Sequence, residues 1–291
     1  MITITYVTIT YNAEAVLQRT LDSVLHQDYP YIEHLIIDGA STDGTLKIID
    51  EYVARSNAQH PTPITQHPTS NTQHPSPNTQ HHKVLVTSEP DGGIYDAMNK
   101  GLRSATGDYI CFLNAGDTLP ASDTVSKIVE KVVDVNVDVN TQHPSPNTQY
   151  SPAVLYGDTD IVDAEGRFLH HRRLQPPEHL TWKSFRRGML VCHQAFYART
   201  DFAIATPYDL RYRYSADVDW CIRVMKAAAK EDVPLLNLHT TVANYLQEGT
   251  TTRHHRASLI ERFHVMRRHY GILTTLAMHA WFVLRAVLPS S

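Results

Sequence analysis

The sequence lacks the two glycine-rich signatures of the commonest nucleotide-binding loops. No GxGxxG follows the first predicted strand, and neither GxxxxGKS nor GxxxxGKT occurs in the 291 residues. The first absence counts against a dinucleotide-dependent enzyme and the second against a P-loop NTPase. Neither sign of charge is in large excess, and a net charge of −4 at pH 7 gives no indication of nucleic-acid binding.

Cysteine is scarce, and its spacing suggests neither a disulfide framework nor a zinc site. The three cysteines, Cys111, Cys192 and Cys221, lie in apolar stretches without a CxxC pair. An odd number without metal spacing predicts reduced thiols and a cytoplasmic protein. The N-terminal stretch "MITITYVTITYN" has no basic n-region and no apolar h-region, so it predicts a strand and not a signal peptide.

A long uninterrupted apolar run is also missing. The C-terminal stretch "GILTTLAMHAWFVLRAVLPSS" is short for a membrane-spanning helix and contains His279 and Arg285. The segment before it, "RHHRASLIERFHVMRRHYG", is basic. Two interpretations follow for the helical segment 251–291: a peripheral contact with the inner face of the cell membrane, or an ordinary amphipathic terminal helix.

Two low-complexity inserts interrupt the chain at about 57–82 and 139–150. They repeat units such as "QHPTSNT" and "QHPSPNT". Proline in each unit blocks helix and strand pairing, and no unit has enough apolar surface to form a core. We therefore predict surface loops. Histidines spaced by seven in a flexible chain would make a poor metal site.

Between the inserts, strand and helix patterns alternate. The strand patterns are "ITITYVTITY", "IEHLIIDGAS", "KVLVTSEPD", "DYICFLNA" and "AVLYGDTDIV", with amphipathic helical stretches between them. This order predicts an α/β domain with a mostly parallel, Rossmann-like sheet covered by helices on both faces.

Acidic residues collect where these strands end. Asp38, Asp91, Asp117 and Asp158 each follow a predicted strand. Asp117 alone, in "FLNAGDTLP", is explained by a turn or a helix cap. Four carboxylates on one sheet edge would repel one another unless a divalent cation or a ligand used them. Mg²⁺ or Mn²⁺ with phosphate oxygens would suit such an edge, which favours a nucleoside diphosphate ligand.

Several motifs then give a specific resemblance. "VTITYN", "IIDGASTDGT", "DGGIYDAMNKG", "FLNAGD", "HQAFYAR" and "SADVDWCIRV" occur in the order found in family 2 glycosyltransferases of the GT-A fold. The chain most resembles the bacterial branch that builds capsular, exopolysaccharide or O-antigen-type chains. The resemblance covers residues 1–250 apart from the inserts and implies one GT-A domain over that range.

The resemblance implies roles for individual residues. The implied nucleotide-binding residues are Thr10, Tyr11, Asn12, Asp38, Gly39, Ser41 and Asp91, with a UDP-sugar as the expected donor. Asp117 would hold Mn²⁺ or Mg²⁺, although Asn114 and Gly116 stand where the family motif has further acids.

The general base implied by the resemblance is Asp217. Ser215 is a candidate N-cap, which would place Asp217 in the first helical turn, where the helix dipole favours an ionised carboxylate. Asp219 competes for this role, and Asp158 and His193 are further candidates for the acceptor pocket.

The expected function is inverting transfer of a sugar to a saccharide or lipid-linked acceptor. Two alternatives stay open from the residues. A sugar-1-phosphate nucleotidyltransferase would need a glycine-rich basic loop after the first strand, which "TYNAEAVLQRT" does not supply. A non-catalytic nucleotide-sugar-binding protein fits the reduced acidity of "NAGD".

Overall fold

The computed structural model describes residues 1–59, 82–142, 151–247 and 255–287. The repeats at 60–81 and 143–150, which we predict to be surface loops, lie outside these described residues. The flanking elements enter the ranges predicted for the inserts, because one helix continues to Gln59, another to Gln142, and a strand begins at His82.

The described residues form strands and helices in the following order. The strands are β1 Ile4–Thr10, β2 Ile32–Asp38, β3 His82–Ser88, β4 Tyr109–Phe112, β5 Val154–Val162, β6 Phe168–His171, β7 Phe196–Arg199 and β8 Leu235–Leu246. The helices are α1 Leu17–Leu25, α2 Thr45–Gln59, α3 Ile94–Ser104, α4 Thr124–Gln142, α5 Thr200–Ile204, α6 Ala216–Lys230, α7 His255–Tyr270 and α8 Ile272–Val287. Two short 3₁₀ helices span Ser184–Arg187 and His193–Ala195.

One sheet organises the molecule, with strand order β3-β2-β1-β4-β7-β5-β6 and β8 paired with β5. Strands β3, β2, β1 and β4 are parallel to one another, and β8 is parallel to β5. Strand β7 is antiparallel to both β4 and β5. The mostly parallel α/β sheet confirms the predicted class, and its register places Thr10 beside Asp38, which is beside Ser88.

Strand β1 is buried along its whole length although threonine alternates with apolar residues. Two of its three threonine hydroxyls have partners inside the protein: Thr5 donates to Glu33 at 2.8 Å, and Thr8 hydrogen-bonds the His34 ring at 2.9 Å. The buried Thr10 hydroxyl at the end of the strand has no partner among the described residues. Burial lowers the pKa of His34 to about 3, so this histidine is neutral. Satisfied polar groups thus let an alternating sequence occupy the centre of the sheet.

The sheet and α3 approach each other closely at Gly101. A Cβ atom placed on Gly101 would lie 2.4 Å from Cγ1 of Val7 on β1. Only a residue without a side chain fits this contact, which sets the distance at which α3 packs on the sheet.

An aromatic cluster fixes α6 against the middle of the sheet. The Trp220 ring stacks on Tyr208 with centroids 4.9 Å apart and meets Phe112 and Phe196 edge-on at 5.6 Å. Because Trp220 lies in the first turns of α6, this packing fixes the start of the helix that carries Asp217.

Helix α7 also contacts the start of α6. The Glu261 carboxylate accepts the backbone N–H groups of Arg213, Tyr214 and Ser215 at 2.6 to 3.0 Å. Ser215 occupies the predicted N-cap position, but its side chain makes no capping bond and instead donates to the Ser258 carbonyl at 3.2 Å. Within the described part of the chain, no helix has both the length and the apolar character needed to cross a membrane.

Candidate active site

The predicted nucleotide-binding residues lie together at the carboxyl ends of β1 and β2. Asp38 is fully buried, and its carboxylate accepts the Ser41 N–H at 3.0 Å and the hydroxyls of Ser41 and Ser88 at 2.5 and 2.6 Å. These donors bend the loop after β2 back toward its own strand. A contact between Asp38 and a nucleobase stays a prediction, and the described geometry gives Asp38 the role of shaping the loop.

The loop after β1 meets the loop after β2. Asn12 adopts a left-handed conformation with φ 46°, its N–H donates to Ser41 Oγ at 2.8 Å, and its side chain accepts the Thr42 N–H at 2.9 Å. Tyr11 beside it is 64% exposed. Such an exposed ring next to a rigid polar loop could stack on a planar ligand.

Gly39 and Asp91 complete this edge. The Gly39 N–H donates to the Thr10 carbonyl at 2.9 Å. A Cβ atom on Gly39 would lie 2.8 Å from Oδ2 of Asp91, so the glycine gives room for this carboxylate. The structure therefore brings the predicted residues of β1, β2 and the β3–α3 loop to one place.

Asp217 lies in the first turn of α6 with its side chain 16% exposed. Its Oδ1 accepts the Tyr95 hydroxyl at 3.1 Å, and its Oδ2 is 3.4 Å from Nδ1 of His193. Burial acts to raise the pKa of Asp217, but hydrogen bonding and charge from His193 outweigh it and hold the pKa below its ordinary value. The carboxylate is therefore ionised at neutral pH.

His193 connects Asp217 to the "NAGD" loop. Its Nε2 lies 3.1 Å from Nδ2 of Asn114, and its Nδ1 faces Asp217. Which atom donates in the contact between His193 and Asn114 depends on the ring tautomer. The Asn114 Oδ1 atom is buried and has no hydrogen-bond partner in the structure. A buried oxygen in this state suggests that a ligand or water supplies the missing donor.

Asp117 occupies the end of the same loop, and its carboxylate is 4% exposed. Oδ2 accepts the Gln194 amide at 2.8 Å, and Oδ1 accepts the Leu246 N–H at 3.0 Å. Burial raises the pKa of Asp117 to about 6.

The residues around Asp117 do not fit a divalent cation as they are arranged. Asp117 is almost wholly buried and each of its oxygens already accepts one protein N–H group, so a cation that keeps its waters cannot reach the carboxylate in this arrangement. Over the described ranges, no group of three or more His, Cys, Asp or Glu side chains is placed to hold a metal ion. Binding of a metal ion by Asp117 therefore stays a prediction, and the burial and hydrogen bonds of its carboxylate oppose it.

Asp219 and Asp158 lie apart from Asp217. Asp219 is fully buried, accepts Nε of Arg223 at 2.6 Å and Nε2 of His269 at 2.8 Å, and so fastens α6 to α7. Asp158 lines a polar cleft of about 340 Å³ with Glu178 and other residues, and burial raises its pKa. Of the three acids considered for the acceptor side, only Asp217 contacts the His193 network.

Three residues of this site were not predicted from the sequence. Tyr95 donates to Asp217, Gln194 donates to Asp117, and Glu261 binds the backbone ahead of α6. Tyr95 and Gln194 lie within quoted motifs, "GGIYD" and "HQAF", but no periodicity distinguishes them. Glu261 is 44 residues after Asp217 in the sequence, so local patterns contain no signal for it.

Comparison with known families agrees with this geometry. The family described as Glycosyl transferase family 2 matches residues 5–186. The chain belongs to this family and is thus an enzyme of the glycosyltransferase class. A PGL/p-HBAD biosynthesis glycosyltransferase of Mycobacterium bovis BCG is 30% identical over 246 residues, which cover 82% of this chain and 75% of that protein. The putative teichuronic acid biosynthesis glycosyltransferase TuaG of Bacillus subtilis is 30% identical over 114 residues, 39% of this chain and 36% of that protein.

Solved structures confirm the predicted GT-A-like fold. S. aureus TarS 1-349 in complex with UDP-GlcNAc superposes with a TM-score of 0.60 at 17% identity, over 91% of this chain and 64% of that chain. Mannosyltransferase PcManGT from Pyrobaculum calidifontis, in complex with GDP-Man and Mn²⁺, has a TM-score of 0.54 at 15% identity, over 99% and 76% of the two chains. The chain thus spans less than two thirds of the TarS structure.

Proposed function

We propose that this protein transfers a sugar, with inversion, from a nucleoside diphosphate sugar to a hydroxyl of a saccharide or lipid-linked acceptor. The product would be part of a cell-surface polysaccharide or glycolipid. One observation carries the proposal: the Asp217 carboxylate is ionised, partly exposed, and held between Tyr95 and His193.

The chemistry follows from this arrangement. Asp217 accepts the proton of the acceptor hydroxyl, and the acceptor oxygen attacks the anomeric carbon from the face opposite the diphosphate. The bond to the diphosphate breaks as the new glycosidic bond forms, so the configuration inverts. A carboxylate has about four acceptor sites. Tyr95, His193 and the Val218 N–H occupy three of them, which leaves one for the incoming hydroxyl. Tyr95 and His193 orient the carboxylate.

The donor side of the proposal rests on the edge formed by Thr10, Asn12, Asp38, Ser41 and Asp91. TarS binds UDP-GlcNAc and PcManGT binds GDP-Man, which supports a nucleotide-sugar donor for a chain of the same fold. We favour a UDP-sugar. No step is assigned to a divalent cation, because Asp117 is almost wholly buried and its oxygens accept N–H groups of Gln194 and Leu246.

The test compares two neighbouring aspartates. Asp217→Asn should bind UDP as the wild type does and lose about 10² to 10⁴ in turnover, because it removes only the proton acceptor. UDP release from a panel of UDP-sugars with oligosaccharide and lipid-linked acceptors measures turnover, and calorimetry measures UDP binding.

Asp219→Asn is the matched control, since it makes the same chemical change two residues away. It should lower stability, through the lost partners Arg223 and His269, and keep turnover per folded molecule. Near-normal turnover of Asp217→Asn would refute the assignment. Wild-type protein that binds UDP-sugars without turnover would be a binding module, and one that makes them from UTP and sugar phosphates a nucleotidyltransferase.

A further inference from the structure

Helix α8 exposes a continuous apolar stripe. Leu273, Leu276, Val283 and Leu284 are 81%, 52%, 65% and 56% exposed. Their spacing places all four on one face of a helix with 100° per residue. Ala280 between them is also exposed, so polar side chains do not interrupt the stripe.

The opposite face of α8 turns polar groups toward the protein. Thr275 is fully buried and donates to the Gly271 carbonyl at 2.8 Å. His279 hydrogen-bonds the Thr275 carbonyl at 2.9 Å, and its ring lies 5.0 Å from that of Phe263 on α7. Met278 and Phe282 are half-buried on this side, so apolar side chains occupy both sides of α8. A surface helix of a globular protein normally exposes a polar face. The exposed stripe thus requires a partner other than water.

Cations border this stripe, and no acid accompanies them. Lys183, Arg186 and Arg187 are exposed on and beside the 3₁₀ helix Ser184–Arg187, which packs against α8. The sequence contains no Asp or Glu from 179 to 190 or from 271 to 287. This surface therefore combines apolar side chains with uncompensated positive charge.

An apolar groove runs beside the stripe. It has a volume of about 530 Å³ and is lined by Leu174, Leu190, Ala277, Met278 and Trp281, with Arg187 among its lining residues. Its apolar walls suit a hydrocarbon chain, and the guanidinium suits a phosphate.

We propose that the α8 stripe and the Lys183–Arg187 cations form a docking surface for an anionic phospholipid bilayer. The stripe would enter the boundary between headgroups and acyl chains, the cations would contact lipid phosphates, and the groove would receive one acyl chain. A second copy of the chain fits less well, since a two-fold interface through this surface would bring the cations of both copies together. The inference concerns binding to lipid and does not depend on the proposed transfer reaction.

Flotation of the full chain with lipid vesicles tests the proposal. The wild type should bind phosphatidylcholine vesicles containing about 30% phosphatidylglycerol, and lose at least about tenfold in partitioning to pure phosphatidylcholine. Arg186→Glu with Arg187→Glu should lose at least about tenfold on the anionic vesicles. Leu273→Asp with Val283→Asp should also lose at least about tenfold in partitioning to the anionic vesicles, because charged side chains replace the apolar contact.

Arg103→Glu with Lys131→Glu is the matched control, because it makes the same charge change at exposed cations on α3 and α4. It should bind as the wild type does, and thermal unfolding should show all variants folded. Wild type that does not bind anionic vesicles, or an equal loss in the control, would overturn the proposal. Self-association abolished by the Leu273 and Val283 changes, without vesicle binding, would assign the stripe to a second copy instead.

Discussion

Replacing Asp117 by asparagine should change the pH dependence of folding stability. Asp117 is 4% exposed, and burial raises its pKa from 3.8 to about 6. Asparagine has nearly the same shape but does not titrate. The Gln194 amide can rotate so that its oxygen faces the new NH₂ group, which preserves this contact in the variant.

The sign and size of this effect follow from the difference between the pKa of Asp117 in the folded state and its pKa in the unfolded state. The folded state keeps the Asp117 proton to a higher pH than the unfolded state does. The contribution of protonated Asp117 to folding stability is therefore complete below about pH 4 and is lost as the pH rises through about 6. One pKa unit corresponds to about 1.4 kcal/mol, so the wild type should lose about 3 kcal/mol across this window at Asp117. The variant should not lose it.

Urea unfolding of both proteins between about pH 3 and about pH 7 measures this difference. The free energy of unfolding of Asp117→Asn, minus that of the wild type, should rise by about 3 kcal/mol from the lowest to the highest pH of this range. Taking the difference removes the titration of every other group. Parallel curves would refute the argument, because they would mean that Asp117 has the same pKa in both states.

The same two proteins test the cation. The family resemblance predicts that Asp117→Asn weakens UDP binding in Mn²⁺ and has little effect in EDTA. The burial and hydrogen bonds of Asp117 instead predict equal UDP affinity of the two proteins in both conditions. Calorimetric titration of UDP, with Mn²⁺ and with EDTA, decides between these expectations.

Three further changes have defined outcomes. His193→Gln should move the acidic limb of the pH–kcat/KM profile to higher pH, because His193 lowers the pKa of Asp217; an unmoved limb would remove His193 from this role. Gly101→Ala should lower the free energy of unfolding by about 1 to 3 kcal/mol in urea, since its Cβ would lie 2.4 Å from Val7; wild-type stability would show that the contact relaxes. Deletion of 59–80 should leave UDP affinity within about tenfold, or about 1.4 kcal/mol, by calorimetry; a greater loss would indicate that the repeats contact the ligand.

The parallel half of the sheet could be predicted from local patterns. Strands β1 to β5 are short apolar segments separated by helices or turn residues, and their alternation fixes both class and direction. The antiparallel part was not predicted. Strand β7 has four residues and pairs with β4 and β5, which are distant in sequence. Its existence depends on these tertiary contacts more than on its own sequence.

Prediction of the candidate site from the sequence is limited in the same way, by contacts between residues that are distant along the chain. The motif "SADVDW" gives both Asp217 and Asp219 a place near the helix start, and its sequence alone does not separate them. Contacts from α7 separate them, because His269 binds Asp219 fifty residues away along the chain. The N-cap prediction for Ser215 had the position right, but its side chain makes no capping bond. Glu261 instead binds the N–H groups of Ser215 and of the two residues before it.

The three N–H groups bound by Glu261 also bear on where the catalytic unit ends. Residues 1–250 contain the sheet and the proposed nucleotide and base residues, and would be the natural choice for a shortened protein. Cutting there would leave the backbone of Arg213, Tyr214 and Ser215 without its acceptor, immediately before the helix that carries Asp217. Helix α7 therefore supports the start of α6, and a protein trimmed at the boundary predicted from the sequence would lose the support of its proposed base.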